Sequence, residues 1–299
     1  MKAIVFYHAN CTDGFGSAWA FKKSLCAVDY GSNMEFYPVS YGKPTPEITP
    51  GPDVDIFILD FSYPRSVLSA LSALVNTVTV LDHHKTAQED LTGWEDKPKN
   101  LHIHFDMNRS GAGITWDHFN PGRPRPRIIN YIEDRDLWRF ALERSVEINA
   151  PILLVPSGDF EAMDKMAVMV ETDPDGVYKQ GLILKTQKDI YVQQIAKEAR
   201  KCSFETSPGE WVHGLVANST PQFASDVGDI LAKRSLTFGA TYFTDGEDRT
   251  VFSLRSIGDF DVSKLARLFG GGGHKNAAGF TLGPDSEQKS GITLWKLPQ

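Results

Sequence analysis

Cysteine is scarce in this chain: Cys11, Cys26 and Cys202 are the only three in 299 residues, and no CxxC pair occurs. An odd count without pairing points to reduced thiols in a cytosolic compartment. Positive charge is also short, the formal net charge being -7. Sequence-blind binding of long duplex DNA needs an extended basic surface, so that partner class is excluded, although a local basic pocket for a short phosphate ligand is not. No apolar run approaches the roughly 18 residues of a spanning helix. Nor does an opening stretch combine a basic start, an apolar core and a small-residue cleavage site. The expectation is a soluble, cytoplasmic protein with no membrane partner. With 41% hydrophobic and 23% charged residues, the chain can bury a sizeable core in two domains or one large one.

What is present is a set of apolar runs that end in titratable residues. Asn76–Leu81 reads as a buried strand and ends in Asp82-His83-His84. Lys2–Tyr7 is a similar run ending in His8, with Asp13 five residues on, near the start of a helical pattern over about 16–25. Val54–Leu59 ends in Asp60, and Pro64 then opens a helix over Arg65–Leu74. Strand, polar loop, helix is the rhythm of a doubly wound parallel sheet, in which all these ends share one edge. A single polar residue there is an ordinary turn or an N-cap. Carboxylates and imidazoles from several strand ends have the composition of a metal site.

Several other features have plainer readings. Glu35–Tyr41 reads as a second strand and Leu101–Phe105 as an edge or late strand, with His102 and His104 structural or solvent-facing. The basic residues of the loop 121–126 read as a solvated surface. Arg127–Trp138 reads as a helix, in which Asp134 and Asp136 point in nearly opposite directions at about 100° per residue; only one of them can reach a common site. Helix is expected onward to about Phe204, with Val177–Lys201 as the connector between two domains and Ser207-Pro208-Gly209 as its end.

The second half restarts with a strand over Trp211–Ala217. Further on, Val262–Phe269 reads as a short helix leading into Gly270-Gly271-Gly272-Gly273-His274, then Lys275-Asn276-Ala277-Ala278-Gly279. Successive glycines imply close backbone approach or positive φ, and consecutive N–H groups can form an anion nest. Arg255, at the end of a strand, can supply a phosphate fork. The alternative is a hairpin loop.

Taken together these stretches resemble the DHH phosphoesterase superfamily, in particular the members with a second, DHHA1 domain, such as nanoRNase-like oligonucleotide and cyclic-dinucleotide phosphodiesterases. The name-giving triad is Asp82-His83-His84; the earlier motifs are similar to His8, Asp13-Gly14 and Asp60. A later motif is similar to Asp134 within Tyr131–Asp136, and the glycine-histidine signature to Gly270–Gly279. The resemblance implies an α/β fold with an N-terminal, doubly wound, mostly parallel catalytic domain (1–175), a long connector helix (176–205) and a smaller α/β substrate-binding domain (206–299). It also implies a cleft between the domains for substrate. By the same resemblance His8, Asp13, Asp60, His83 and Asp134 are metal ligands, His84 contacts the substrate phosphate, and Asp82 is an added ligand or supports one. Arg255, Gly271, Gly272, Gly273 and His274 hold the nucleotide. The first motif departs from the usual His-x-x-x-Asp-x-Asp: Thr12 and Phe15 stand where acids are expected. That weakens a second metal position, which Asn10 or water can fill.

The implied cofactor is Mn2+, one or two ions, with Mg2+ or Co2+ as substitutes, and carboxylates mixed with imidazoles suit it. The implied reaction is hydrolysis of short oligonucleotides, cyclic dinucleotides or related nucleotide phosphates. The alternatives are a single-strand exonuclease or a catalytically weak nucleotide-binding regulator, and a homodimer is left open.

Overall fold

The computed structural model describes residues 1–284, 286 and 292–295, the last four by backbone alone. Contacts divide the chain into two compact units, Met1–Lys185 and Thr186–Gln299.

The first unit begins with β1 (Lys2–His8), α1 (Thr12–Lys22), α2 (Leu25–Val28) and β2 (Met34–Val39). It continues with β3 (Gly51–Leu59), α3 (Arg65–Ser72), β4 (Val75–Asp82), α4 (Lys85–Leu91) and β5 (Leu101–Phe105). These strands form one sheet in the order β2-β1-β3-β4-β5, every pairing parallel. Period-two alternation divides β1 between two cores. Ile4 and Phe6 pack with Ile56, Ile58, Val78, Val80, Leu68 and Leu71 on one face, while Ala3 and Val5 pack with Phe57, Leu59, Phe21 and Ile114 on the other. Both faces are therefore covered, which is why these strands read as continuous apolar runs. Each fully buried Ile or Phe contributes about 1.5–3 kcal/mol relative to exposure.

Helices follow: α5 (Gly111–Phe119), α6 (Arg127–Asp136), α7 (Ser145–Ile152), α8 (Phe160–Thr172) and α9 (Pro174–Lys197). The last runs across the unit boundary. It stops earlier than the sequence pattern implies, because Arg200–Ser207 is a strand, β6, not the tail of a helix. Cys202 and Phe204 are buried in the second core, and Ser207-Pro208-Gly209 makes the turn into the antiparallel partner β7 (Glu210–Asn218).

The second unit adds α10 (Pro221–Ser235), β8 (Phe238–Thr244), β9 (Thr250–Ser256), α11 (Val262–Leu268), β10 (Gly272–His274), β11 (Ala277–Leu282) and β12 (Ile292–Trp295). Its sheet has the order β10-β11-β9-β8-β7-β6-β12. Only β7 and β8 pair in parallel, and α10 is the crossover such a pair requires. The molecule is thus α/β, with a five-stranded parallel sheet and a second, mixed sheet. Among the described residues no helix is long and apolar enough to cross a membrane.

Candidate metal centre

In a parallel sheet ordered β2-β1-β3-β4-β5 the winding reverses between β1 and β3, and ligands bind at the carboxyl ends beside that point. His8 closes β1, Asp60 follows β3, and Asp82 closes β4 with His83 and His84 directly after it. Asp60 has a left-handed backbone (φ 54), rare for a residue with a side chain and held here by its N–H donating to Leu81 O at 2.9 Å. Gly111, first residue of α5, abuts it: a Cβ on that glycine would sit 2.4 Å from Asp60 Cβ. The same helix start holds a second acid. Gly111 and Ala112 donate their N–H groups to Asp13 Oδ2 and Oδ1 at 2.6 and 3.0 Å. Asp13 therefore does not cap its own helix, whose N-cap is Cys11, but sits at the positive end of α5.

His83 is where these acids meet. Its Nε2 lies 3.0 Å from Asp60 Oδ1, 3.5 Å from Asp13 Oδ2 and 3.5 Å from Asp136 Oδ2. His8 Nδ1 is 3.6 Å from the other oxygen of Asp60. Candidate ligand atoms of Asp13, Asp60 and His83 all fall within 4.8 Å of one another, as do those of His8, Asp60 and His84. Asp60 belongs to both triads, so one carboxylate can serve two neighbouring cations. Asp82 plays a different part. Its Oδ1 accepts from the backbone N–H of His83 (2.7 Å) and His84 (3.2 Å) and lies 2.6 Å from His84 Nδ1. That fixes the imidazole and leaves Nε2 as its working nitrogen.

The electrostatics ask for a cation. Burial pushes the Asp13 carboxyl well up, and Asp60 and Asp136 push it further. Asp136 is raised by burial and by Asp60, against the pull of His83. Burial opposes charge on Asp60 too, but His8 and His83 outweigh it and hold that carboxyl well below its usual range. For His83 the cost of burial is overcome by Asp60, Asp136 and Asp13, so its pKa stands well above the ordinary value. His84 is likewise raised, burial being outweighed by Asp82. Asp60 is 1% exposed, and among the described residues no donor meets either oxygen in hydrogen-bonding geometry, although His83 Nε2 at 3.0 Å and His8 Nδ1 at 3.6 Å lie beside them. The buried carboxylates of Asp13 and Asp60, with candidate ligand atoms within 4.8 Å of each other, repel, and a divalent cation removes that cost. The residues present fit a hard metal ion.

Asp134 is not among the residues brought together. Its oxygens accept the backbone N–H groups of Ala141 (2.9 Å) and Leu142 (3.2 Å). It thereby closes a loop in which Trp138 (φ 54), Phe140 (φ 47) and Arg144 (φ 57) are all left-handed. The acid that faces His83 is Asp136, at the last turn of α6, where helical phase alone left the choice open. Phe15 is core, 2% exposed and packed on Tyr7 and Phe160. Residues that sequence reasoning passed over are Gly111 and Ala112; the signal for them was the Ser-Gly-Ala-Gly run opening a helix. His102 and His104 are exposed. The basic loop is less solvated than expected, because Arg125 bridges Asp117 and Glu133 and is mostly buried.

In the second unit the glycine run is a ladder. Gly272, Gly273 and His274 pair with Gly279, Ala278 and Ala277. A Cβ on Gly271 would meet Gly279 O at 2.0 Å, and Gly273 has φ 137 with Ala277 O 2.6 Å from its would-be Cβ. Packing of β10 against β11 accounts for these glycines. Arg255 donates to Ser225 Oγ (2.7 Å) and Leu254 O (2.8 Å), its guanidinium oriented by α10.

Against known proteins, the DHHA1 domain model matches residues 212–291. An uncharacterized protein of Acanthamoeba polyphaga mimivirus is 31% identical, the match covering 93% of this chain and 67% of that one. Oligoribonuclease NrnB of Bacillus subtilis is 23% identical over 76% of this chain and 59% of its own length. Among solved structures, RecJ from Thermus thermophilus in complex with Mn2+ overlays with a TM-score of 0.47 at 14% identity, covering 94% of this chain and 49% of that one. The DHHA1 match falls on the second sheet, and Asp82-His83-His84 closes the fourth strand of the first: the chain belongs to the DHH/DHHA1 phosphoesterase superfamily.

Proposed function

We propose that this protein hydrolyses the phosphodiester bonds of short oligonucleotides or dinucleotides, with Mn2+ held by His8, Asp13, Asp60, His83 and Asp136. One observation carries the reading: the buried carboxylates of Asp13 and Asp60 and the more exposed one of Asp136 converge on His83 Nε2 within 3.5 Å. When bound, a divalent ion of this kind supplies Lewis acidity and makes hydroxide available near neutral pH.

The chain's own residues do the rest. Asp13, steadied by the start of α5, and Asp60, steadied by its fixed backbone, keep their carboxylates in place without rearrangement. With one ion held by the triad of Asp13, Asp60 and His83, His84 is not a ligand: Asp82 orients it and favours its protonated form, so that Nε2 can donate to a phosphate oxygen and offset charge that builds during attack. Arg255 and His274, with the backbone of Gly271, Gly272 and Gly273, are proposed to hold the nucleotide. The small substrate is supported by the net charge of -7, which disfavours long polyanions, and by the likeness to an oligoribonuclease.

The test is a Mn2+-supplemented panel of labelled dinucleotides, longer single strands, cyclic dinucleotides and 3′-phosphoadenosine 5′-phosphate. Turnover that falls steeply with strand length is the expected result. Equal or rising turnover on long strands would replace this reading with an exonuclease, and no turnover of any diester would reject it.

A further inference from the structure

The carboxyl edge of the first sheet carries an aromatic residue that the chemistry above does not use. β2 ends at Val39, whose carbonyl accepts from Ala9 N–H at 2.8 Å, and Tyr41 follows two residues later beside the end of β1. Its ring centroid is 5.7 Å from that of His8, 6.0 Å from His84 and 4.4 Å from Phe61, the last at a shallow 34°. Phe61 is fully buried and backs the tyrosine ring, yet Tyr41 itself is 50% exposed. Burial pushes the pKa of its hydroxyl well up, with Asp82 and Asp60 adding to it.

Here half of the residue is left open while Phe61 backs the ring, next to His8 and His84 of the candidate metal centre.

We propose that Tyr41 is a stacking subsite for the nucleobase of the nucleotide next to the scissile phosphate. The ring is rigid, backed and half open, and a flat heteroaromatic base has the matching shape. The subsite would give preference for nucleotidyl diesters over diesters without bases, with little regard for which base is present, because every base offers a π-face. This deepens the proposed function and rests on it.

The experiment compares the wild type, Tyr41→Phe and Tyr41→Ala on three Mn2+-supplemented substrates: a 5′-phosphorylated diadenosine dinucleotide and its two abasic counterparts, each lacking one base. The expected result is that Tyr41→Ala loses about tenfold more kcat/KM on the intact dinucleotide than on one of the abasic substrates, mainly through KM. Tyr41→Phe should keep most of the preference. An equal loss on all three substrates would mean that the ring only props up His8 and His84, and no loss on any would deny it a role; either overturns the proposal. If the wild type turns over no diester, the hydrolase reading fails and the subsite is judged by binding. A dinucleotide carrying 2-aminopurine should then be quenched by wild type and Tyr41→Phe but not by Tyr41→Ala, and equal quenching by all three would reject stacking.

Discussion

The two units hold their polar groups in opposite ways. At the strand edge of the first, acids gather around His83, with Asp13 and Asp60 buried close to each other. In the second, the glycine run pairs into a ladder and Arg255 is tied to Ser225 and Leu254. Groups left in conflict by the fold mark a place where something else must bind. Groups reconciled by the fold can still touch a ligand, but their arrangement is already explained without one. The first unit therefore makes a strong claim and the second a modest one, and the expected effects scale accordingly.

The sharpest break would come at Asp60. Asp60→Asn keeps the shape and removes the charge that both ligand triads share. Since disturbing even a supporting partner of a ligand typically costs 10–100-fold, we expect a loss of at least about 100-fold in Mn2+-dependent turnover, with bound metal lost in parallel. Normal metal content and turnover in this variant would dissolve the contrast between the units.

Next in size is the pair Asp136 and Asp134, which separates a ligand from a structural acid. Asp136→Asn should weaken Mn2+ affinity about 10–100-fold while the fold persists. Asp134→Ala strands two backbone N–H donors in a loop of left-handed residues and should cost about 1–3 kcal/mol of stability, read by denaturant unfolding. If Asp134→Ala instead removed metal affinity at unchanged stability, the assignment would be reversed.

How much of this was legible follows from what each residue must satisfy. The strands of the parallel sheet are buried on both faces, so their apolar runs stood out and their charged ends with them. β6 was hidden, because Cys202 and Phe204 alternate over too short a stretch to contradict a helical pattern running in from α9. Asp136 was unreadable since the choice between it and Asp134 depends on the loop that folds back to meet Asp134. Tyr41 read as the end of the second strand, which in fact stops at Val39, and only Phe61 and the histidines around it give it meaning. The glycine run was noticed for the right physical reason, close backbone approach, but the backbone approaching is that of β11.

Stability against pH probes the same conflict in the first unit. Asp13 and Asp136 are raised in the folded protein, so the metal-free fold binds their protons more tightly than the unfolded chain does and loses stability as pH rises past the ordinary carboxyl range. His83 and His84 are also raised, and their contribution, full below the ordinary histidine range, is lost as pH climbs through their folded values. Asp60 is lowered and matters only in acid, below its ordinary range. In a chelator the melting temperature should therefore drift down from mildly acidic to alkaline pH. With Mn2+ the gap should widen in the same direction, because the ion binds the deprotonated ligands. A chelated protein that grew more stable toward alkaline pH would show that the acids are not in conflict.

The smallest effect belongs to the second unit. Arg255 is already oriented by Ser225 and its own strand, and its removal should leave the fold intact. If its guanidinium holds the substrate phosphate equally before and during reaction, Arg255→Ala raises KM several-fold and leaves kcat nearly unchanged, the signature of uniform binding. Arg255→Lys should recover part of the loss, a point charge replacing a fork. Steady-state kinetics on a dinucleotide decides the matter: a fall in kcat as large as that of Asp60→Asn would move Arg255 into the reacting centre and erase the distinction between the two units.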